Sequence, residues 1–137
     1  MQLPLLKGRG IVEGSCRAEA LVSVNPISFL GGVDPADGKI VEKGHDLCGA
    51  CVSGKILVFP QGHGSTVGSY LIYSLAKRGL APAAIVNRTA DPVVVVGAII
   101  ANIPMIDQVD IQQIRTGDTV EVDGCKGSAR ILKRKEK

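Results

Sequence analysis

The chain has 137 residues, of which 45% are hydrophobic, so it is long enough for one domain with a substantial core. The net charge of +3 arises from residues 133–137, because the other 132 residues hold 12 basic and 12 acidic side chains. Such a balance, with no Trp and only four Phe and Tyr residues, argues against nucleic-acid binding. We predict a single domain over residues 1–132 and a basic, solvated tail over residues 133–137.

The sequence offers no sign of a membrane partner. Its opening residues lack the basic-then-apolar order of a signal peptide. The longest apolar run, residues 93–106, is too short to span a bilayer and is interrupted by Asn102 and Pro104. Four cysteines in such a chain are expected to be reduced thiols. We therefore expect a cytoplasmic protein.

The front of the chain is predicted to be rich in β-structure. Residues 5–12 and 16–22 are expected to form two strands, the second with alternating apolar and polar side chains. Phe29 is expected to hold the following loop against the core. Residues 34–38 combine Asp, Pro and Asp-Gly, which is typical of a turn, and residues 39–42 are predicted to form a further short strand.

A C-x-x-C motif, Cys48 to Cys51, follows this region, with His45 three residues before it. A zinc site would need two more ligands at a matching spacing, and neither Cys16 nor Cys125 supplies one. A redox motif would open a helix, whereas this one leads into a strand. We interpret both cysteines as small apolar side chains at a strand edge and predict no metal site.

The most informative segment is a strand, a glycine loop and a helix in succession. Residues 55–60 form an apolar run that predicts a buried strand ending at a proline. Gly62 and Gly64 then allow a tight turn and a close backbone approach. Ser65 or Thr66 is predicted to be the N-cap of a helix.

That helix is predicted to end at Arg78, with Gly79 as the residue that follows its C-cap. Val67, Leu71 and Leu75 recur at four-residue spacing and predict its buried stripe.

The loop before this helix resembles a seat for an anion, because unpaired N–H groups at a helix start favour negative charge. Three interpretations remain open. The hydroxyl of Ser65 could act as a base with its alkoxide stabilised, the loop of Gly62, Gly64 and Thr66 could only bind a phosphate or carboxylate, or Ser65 could merely cap the helix. The dinucleotide fingerprint is not met, since Gly68 falls one residue late.

The rest of the chain continues as α/β structure. Residues 83–87 predict a buried strand, which makes a right-handed βαβ crossover with the preceding helix. Asp91 and Pro92 predict the start of a short buried helix ending near Asn102, although four consecutive valines favour a strand. A brief strand over residues 104–107 is predicted next.

Residues 119–123 and 128–132 are then expected to form a hairpin.

Arg88 follows the second parallel strand, at the sheet edge where ligands bind in open α/β folds. It is therefore a candidate for contacting an anionic group, with a solvated loop arginine as the alternative. Asp107 and Asp110 are possible general acids, but their spacing does not distinguish them from ordinary surface carboxylates.

Several motifs in order resemble the small subunit of the aconitase X family, and the resemblance covers nearly the whole chain. The matching segments are residues 27–34, 54–60, 62–70, 83–87, 103–104 and 116–118. The resemblance implies an α/β fold, the swivelling β/β/α domain that corresponds to the mobile last domain of aconitase. Its β-rich sheets would be mixed and would carry one main crossover helix.

The resemblance also implies a function as half of a hydro-lyase. A large partner subunit would carry an iron–sulfur cluster, whose open iron would act as a Lewis acid on the substrate hydroxyl. This chain would supply the serine that removes the proton next to a carboxylate, and the matching residue is Ser65. The implied reaction is dehydration of (R)-5-phosphomevalonate to trans-anhydromevalonate 5-phosphate in the archaeal mevalonate pathway, by a heterodimer.

One position departs from true aconitases, which carry an arginine two residues after the serine to bind a substrate carboxylate. Here that residue is Val67, so a citrate-like substrate is not expected. Two alternatives stay open: another dehydratase of the family, such as one acting on cis-3-hydroxy-L-proline, and a regulatory subunit that binds anions without catalysis. The residues that would bind the phosphate cannot be assigned from the resemblance.

Overall fold

The computed structural model describes residues 3–135, and its strands follow the order β1-β8-β7-β3-β4-β5-β6-β2. The strands are β1 Leu5–Lys7, β2 Arg9–Val12, β3 Ser15–Val22, β4 Ile56–Phe59, β5 Ala84–Asn87, β6 Met105–Asp107, β7 Thr119–Asp123 and β8 Ser128–Lys133. The helices are α1 Phe29–Gly32, a single distorted turn, α2 Gly68–Lys77 and α3 Pro92–Ala101, and a 3₁₀ turn spans Ile111–Gln113.

Strand β3 belongs to both halves of this sheet. Its residues Ser15 to Glu19 pair antiparallel with β7, whereas Ala20 to Val22 pair parallel with β4. From there β4, β5 and β6 continue in parallel, connected by α2 and α3, and β2 closes the far edge antiparallel to β6. The parallel half therefore presents the carboxyl ends of several strands along one edge.

Two hydrophobic clusters separate three layers. In one cluster, side chains of α2 and α3 such as Ile72 and Val94 are buried together with Leu57 of the parallel strands. In the other, the opposite face of the parallel strands packs on β1, β7 and β8, as Val58 does with Val120. Because both helices lie in the same cluster, the layers are helices, parallel sheet and antiparallel sheet. This arrangement confirms the predicted β/β/α fold class.

Helix α3 forms where the sequence offered conflicting signals. Asp91 accepts a hydrogen bond from Val94 N–H as N-cap, Pro92 begins the helix, and Asn102 ends it with φ +57°. The predicted helix is thus confirmed. It is as long as α2, so the domain has two crossover helices instead of one main helix. It is also only partly buried, because Ile99 is 56% exposed.

Helix α2 begins later than its polar residues suggest. Its N-cap is Val67, which is 48% exposed and does not join the predicted buried stripe. Its end agrees with the prediction, because Gly79 has φ +71° and Leu80 N–H donates to the Leu75 carbonyl oxygen at 2.8 Å.

The predicted strand over residues 5–12 is two strands with different partners. β1 pairs with β8 and β2 with β6, and the chain changes partner at Gly8. A Cβ at Gly8 would collide with the carbonyl oxygen of Asp107, so the crossing requires glycine. The strand predicted over residues 39–42 is wrong, because Lys39 and Ile40 make isolated bridges only.

The structure describes part of the tail predicted over residues 133–137. β8 extends to Lys133, one residue past the predicted boundary at 132. Arg134 then forms a 2.7 Å ion pair with the carboxylate of Asp118, whose side chain is 1% exposed. Residues 136 and 137 lie outside the described part of the chain. No helix within residues 3–135 is long and apolar enough to cross a membrane.

Candidate functional site

The glycine loop connects β4 to α2 at the carboxyl edge of the parallel sheet. Ser65 lies at its tip and is exposed to solvent. The Oγ atom of Ser65 accepts a 3.1 Å hydrogen bond from Val67 N–H, and its carbonyl oxygen accepts one from Gly68 N–H at 2.9 Å. Ser65 therefore closes the turn that leads into α2, but the prediction that Ser65 or Thr66 is the N-cap is wrong, because the N-cap is Val67.

Three consecutive backbone N–H groups face solvent beside this hydroxyl. Within residues 3–135, the N–H groups of Gly64, Ser65 and Thr66 have no hydrogen-bond acceptor, and all three residues are exposed. Unpaired donors at the positive end of a ten-residue helix favour a negatively charged group. The geometry can therefore bind an anion or stabilise a serine alkoxide.

The glycines of the loop are explained by packing within the chain. Gly62 is buried, and a Cβ there would collide with Val94 and lie 2.8 Å from Asp91 Oδ1 at the start of α3. Gly68 abuts Val93 in the same helix, at 3.1 Å from an added Cβ. Gly64 and Thr66 are therefore exposed for the predicted substrate contact, whereas Gly62 is buried against α3.

The segment before α1 supports the other side of the loop. Ile27 forms a parallel bridge with Gly62, and its carbonyl oxygen accepts a 3.2 Å hydrogen bond from His63 N–H. Ser28 lies directly against Gly64, whose φ is +98°. The sequence motif of residues 27–34 indicated a family, but its spacing gave no sign that Ser28 would meet the glycine loop.

Arg88 is exposed at the same sheet edge, but it contributes to a different feature. It lines an open cavity of about 390 Å³ together with Pro60, Ser23 and Ile111. None of the lining residues belongs to the loop of Gly62 to Thr66. The described contacts therefore do not bring Arg88 and Ser65 into one site.

Asn87, directly before Arg88, fixes the base of the glycine loop. Its side chain is fully buried, and Nδ2 donates a 3.0 Å hydrogen bond to the Phe59 carbonyl oxygen where β4 ends. The other amide atom, Oδ1, has no hydrogen-bond partner among the described residues.

Neither of the candidate general acids makes a described hydrogen bond to the glycine loop. Asp107 is fully buried and receives hydrogen bonds from Arg9 at 2.9 and 2.8 Å and from Ala90 N–H at 2.8 Å. Burial alone would raise the pKa of Asp107, but these hydrogen bonds outweigh it, so the pKa lies below its usual value. Asp110 accepts a hydrogen bond from Gln112 N–H at the start of the 3₁₀ turn.

The cysteines are dispersed in the structure. Cys48 is exposed, Cys51 donates to the Asp37 carbonyl oxygen, and Cys16 donates to that of Ala83. Burial raises the pKa of the Cys16 thiol. Across residues 3–135, no three side chains of Cys, His, Asp or Glu are grouped to hold a metal ion.

Comparison with known proteins places this geometry in a family. A family model described as the aconitase X swivel domain matches residues 5–131. The phosphomevalonate dehydratase small subunit of Methanocella arvoryzae is 54% identical over 89% of this chain and 95% of its own. The protein of the same name from Thermococcus sibiricus is 54% identical over 92% of this chain and 97% of its own.

A solved structure agrees with these relatives. A chain in the crystal structure of Thermococcus kodakaraensis aconitase X, in its holo form, superposes with a TM-score of 0.93 at 51% identity. The match covers 95% of this chain and 99% of that one. The chain therefore belongs to the aconitase X swivel-domain family.

Proposed function

We propose that this chain is the small subunit of a hydro-lyase that dehydrates (R)-5-phosphomevalonate to trans-anhydromevalonate 5-phosphate. The observation that carries the proposal is the exposed Ser65 hydroxyl, which lies beside the three unpaired N–H groups of the loop directly before α2. The name shared by relatives at 54% identity supplies the substrate.

The proposed role of Ser65 is that of a base. In its alkoxide form, Oγ takes the proton from the carbon next to the substrate carboxylate. The electron pair of that C–H bond becomes the new double bond as hydroxide leaves the neighbouring carbon. A proton from solvent converts the hydroxide to water, and Ser65 returns its own proton to solvent to regenerate the alkoxide. The hydrogen bond from Val67 N–H and the helix dipole both favour the alkoxide over the hydroxyl. Gly64 and Thr66 contribute substrate contacts through the same N–H groups.

The surroundings of Ser65 support a substrate with one carboxylate near the loop. Val67, two residues after the serine, presents a half-exposed branched alkyl group instead of a cation. It can exclude water from the reacting carbon but cannot neutralise a second carboxylate. Arg88 remains a proposed contact for the phosphate. Its cavity does not include the glycine loop, so the substrate or a closing motion would have to connect the two.

We infer that a larger subunit of the aconitase X type completes the site. Relatives are named small subunits, and Ser65 has no acid, cation or metal group beside it within the described contacts. Exposed apolar side chains also lie on α1 and at the start of α2: Leu30 at 43%, Val67 at 48% and Tyr70 at 69% exposure. Apolar surface concentrated in this way is typical of protein contacts. A cytoplasmic location for the complex stays a prediction.

The cysteines of this chain do not fit an iron–sulfur cluster, because no three side chains of Cys, His, Asp or Glu meet within residues 3–135. We therefore place the cluster of the family in the larger subunit.

The test is an anaerobic assay of the two co-purified subunits with (R)-5-phosphomevalonate and, separately, cis-3-hydroxy-L-proline. Turnover of the phosphorylated substrate that requires both chains supports the proposal. Turnover of hydroxyproline alone would assign the complex to another dehydratase of the family. If the larger subunit alone is active, this chain is a regulatory subunit that binds anions.

A further inference from the structure

Ser28 and Gly64 are in direct contact, although 36 positions separate them in the chain. A Cβ atom at position 64 would lie 2.5 Å from Ser28 Oγ and 3.3 Å from Ser28 Cβ. Gly64 also has φ +98°, which side chains rarely adopt. The side chain of Ser28 therefore occupies the space that a side chain at position 64 would need.

The position of Ser28 is fixed from both sides. On one side, the N–H of Ile27 donates to the Gln61 carbonyl oxygen at 3.2 Å. On the other side, Phe29 is 2% exposed and packs edge-to-face on Phe59, with ring centroids 6.4 Å apart. The backbone of Ser28 is therefore held in place by its two neighbours, of which Phe29 lies in the core.

The hydroxyl of Ser28 has a defined orientation as well. Its Oγ donates a 3.0 Å hydrogen bond to the carbonyl oxygen of Leu30. This hydrogen bond uses the hydroxyl proton of Ser28 and holds its oxygen against Gly64. Replacing Ser28 by Ala would remove both the atom in contact with Gly64 and the hydrogen bond that holds it.

We infer that Ser28 is a positioning residue for Ser65, an inference that rests on the proposed function. It keeps Gly64 in its left-handed conformation, and Gly64 in turn fixes the course of the loop that carries the unpaired N–H groups of Gly64, Ser65 and Thr66. Stabilisation of an oxyanion depends on hydrogen-bond donors that are already in place. An enzyme whose loop is free to relax therefore loses more in catalytic rate than in affinity for its substrate.

The test compares Ser28→Ala and Ser28→Thr in the assembled two-subunit enzyme, with (R)-5-phosphomevalonate as substrate. Because a misplacement of about 1 Å can cost roughly 100-fold in rate, we expect Ser28→Ala to lower kcat about 10- to 100-fold. KM should change less than about threefold, since ground-state binding is retained. Ser28→Thr keeps the hydroxyl and should stay close to the wild-type rate.

Ser53→Ala is the matched control, because Ser53 also donates its hydroxyl proton to a backbone carbonyl, that of Gly79, on another part of the surface. It should leave kcat unchanged. Wild-type kcat in Ser28→Ala, or a raised KM with kcat intact, would overturn the inference. If Ser65→Ala itself retains turnover, the proposed function fails instead.

Hydrogen exchange in the complex gives a readout that does not depend on turnover. The N–H groups of His63, Val67 and Gly68 are hydrogen-bonded at the two ends of the loop. They should exchange about tenfold faster in Ser28→Ala than in Ser28→Thr. Equal exchange in the two variants would show that Ser28 does not restrain the loop.

Discussion

The backbone N–H of Val67 donates a 3.1 Å hydrogen bond to Ser65 Oγ, at the point where the glycine loop becomes α2. A donor to this oxygen stabilises its charged form, and the helix dipole acts in the same direction. The same contact lies in the turn of residues 65–68, which ends where α2 begins at Gly68. One local hydrogen bond therefore connects the helix start to the proposed chemistry.

The close packing of Gly62 on α3 can be tested by stability. Gly62→Ala would force a methyl group against Val94 and Asp91, so we expect the free energy of unfolding to fall by about 1–3 kcal/mol. Urea denaturation of the purified chain measures it. Gly32→Ala is the control, since an added Cβ there meets its nearest atom at an ordinary 3.5 Å. Equal stabilities of the two variants would contradict the packing explanation.

The apolar surface beside Ser65 predicts how the subunits associate. Tyr70 is 69% exposed, so Tyr70→Asp should leave the fold of this chain intact. It should weaken association with the larger subunit at least tenfold, because a charge would be buried in the contact. Titration calorimetry of the two chains measures this. Leu5→Asp, at a position 40% exposed on β1 at the edge of the sheet, should associate normally. Undiminished affinity in Tyr70→Asp would place the contact elsewhere.

The ion pair between Arg9 and Asp107 predicts a pH dependence of stability. The pKa of Asp107 in the folded chain lies below the value of about 3.9 for an unfolded Asp. The contribution of Asp107 to the free energy of unfolding is therefore complete at pH values above its unfolded-state pKa. It is lost as the pH falls through the folded-state pKa.

At pH 7, Asp107→Asn should lower the free energy of unfolding by about 1–3 kcal/mol, because donors from Arg9 and Ala90 lose a charged acceptor. The difference from wild type should shrink as the pH is lowered below 4. Asp110→Asn, in the exposed 3₁₀ turn, is the control for charge removal. A difference that grows at low pH would contradict this assignment.

Local signals in the sequence predicted the elements that build the site. Asp91 and Pro92 determined α3 despite four valines, because an N-cap acceptor and a proline at the first position are specific to helix starts. The strand and the glycine loop before α2 followed from an apolar run that ends in Pro60.

Long-range contacts account for what the sequence did not reveal. The change of partner at Gly8 depends on Asp107, almost a hundred residues away, and the support of Gly64 by Ser28 depends on a parallel bridge between distant segments. Val67 was misplaced because a helix stripe predicts one buried face, whereas this residue precedes the helix. Exposed apolar positions such as Ile99 carry no local sign of what covers them.

The most direct test of the central claim is single-turnover dehydration of (R)-5-phosphomevalonate by the anaerobic complex containing Ser65→Ala. The account predicts that the complex assembles normally but loses nearly all turnover, by a factor of at least about 1,000, because alanine has no oxygen to accept the proton. Turnover within about tenfold of wild type would place the base elsewhere and reduce this loop to an anion-binding or structural role.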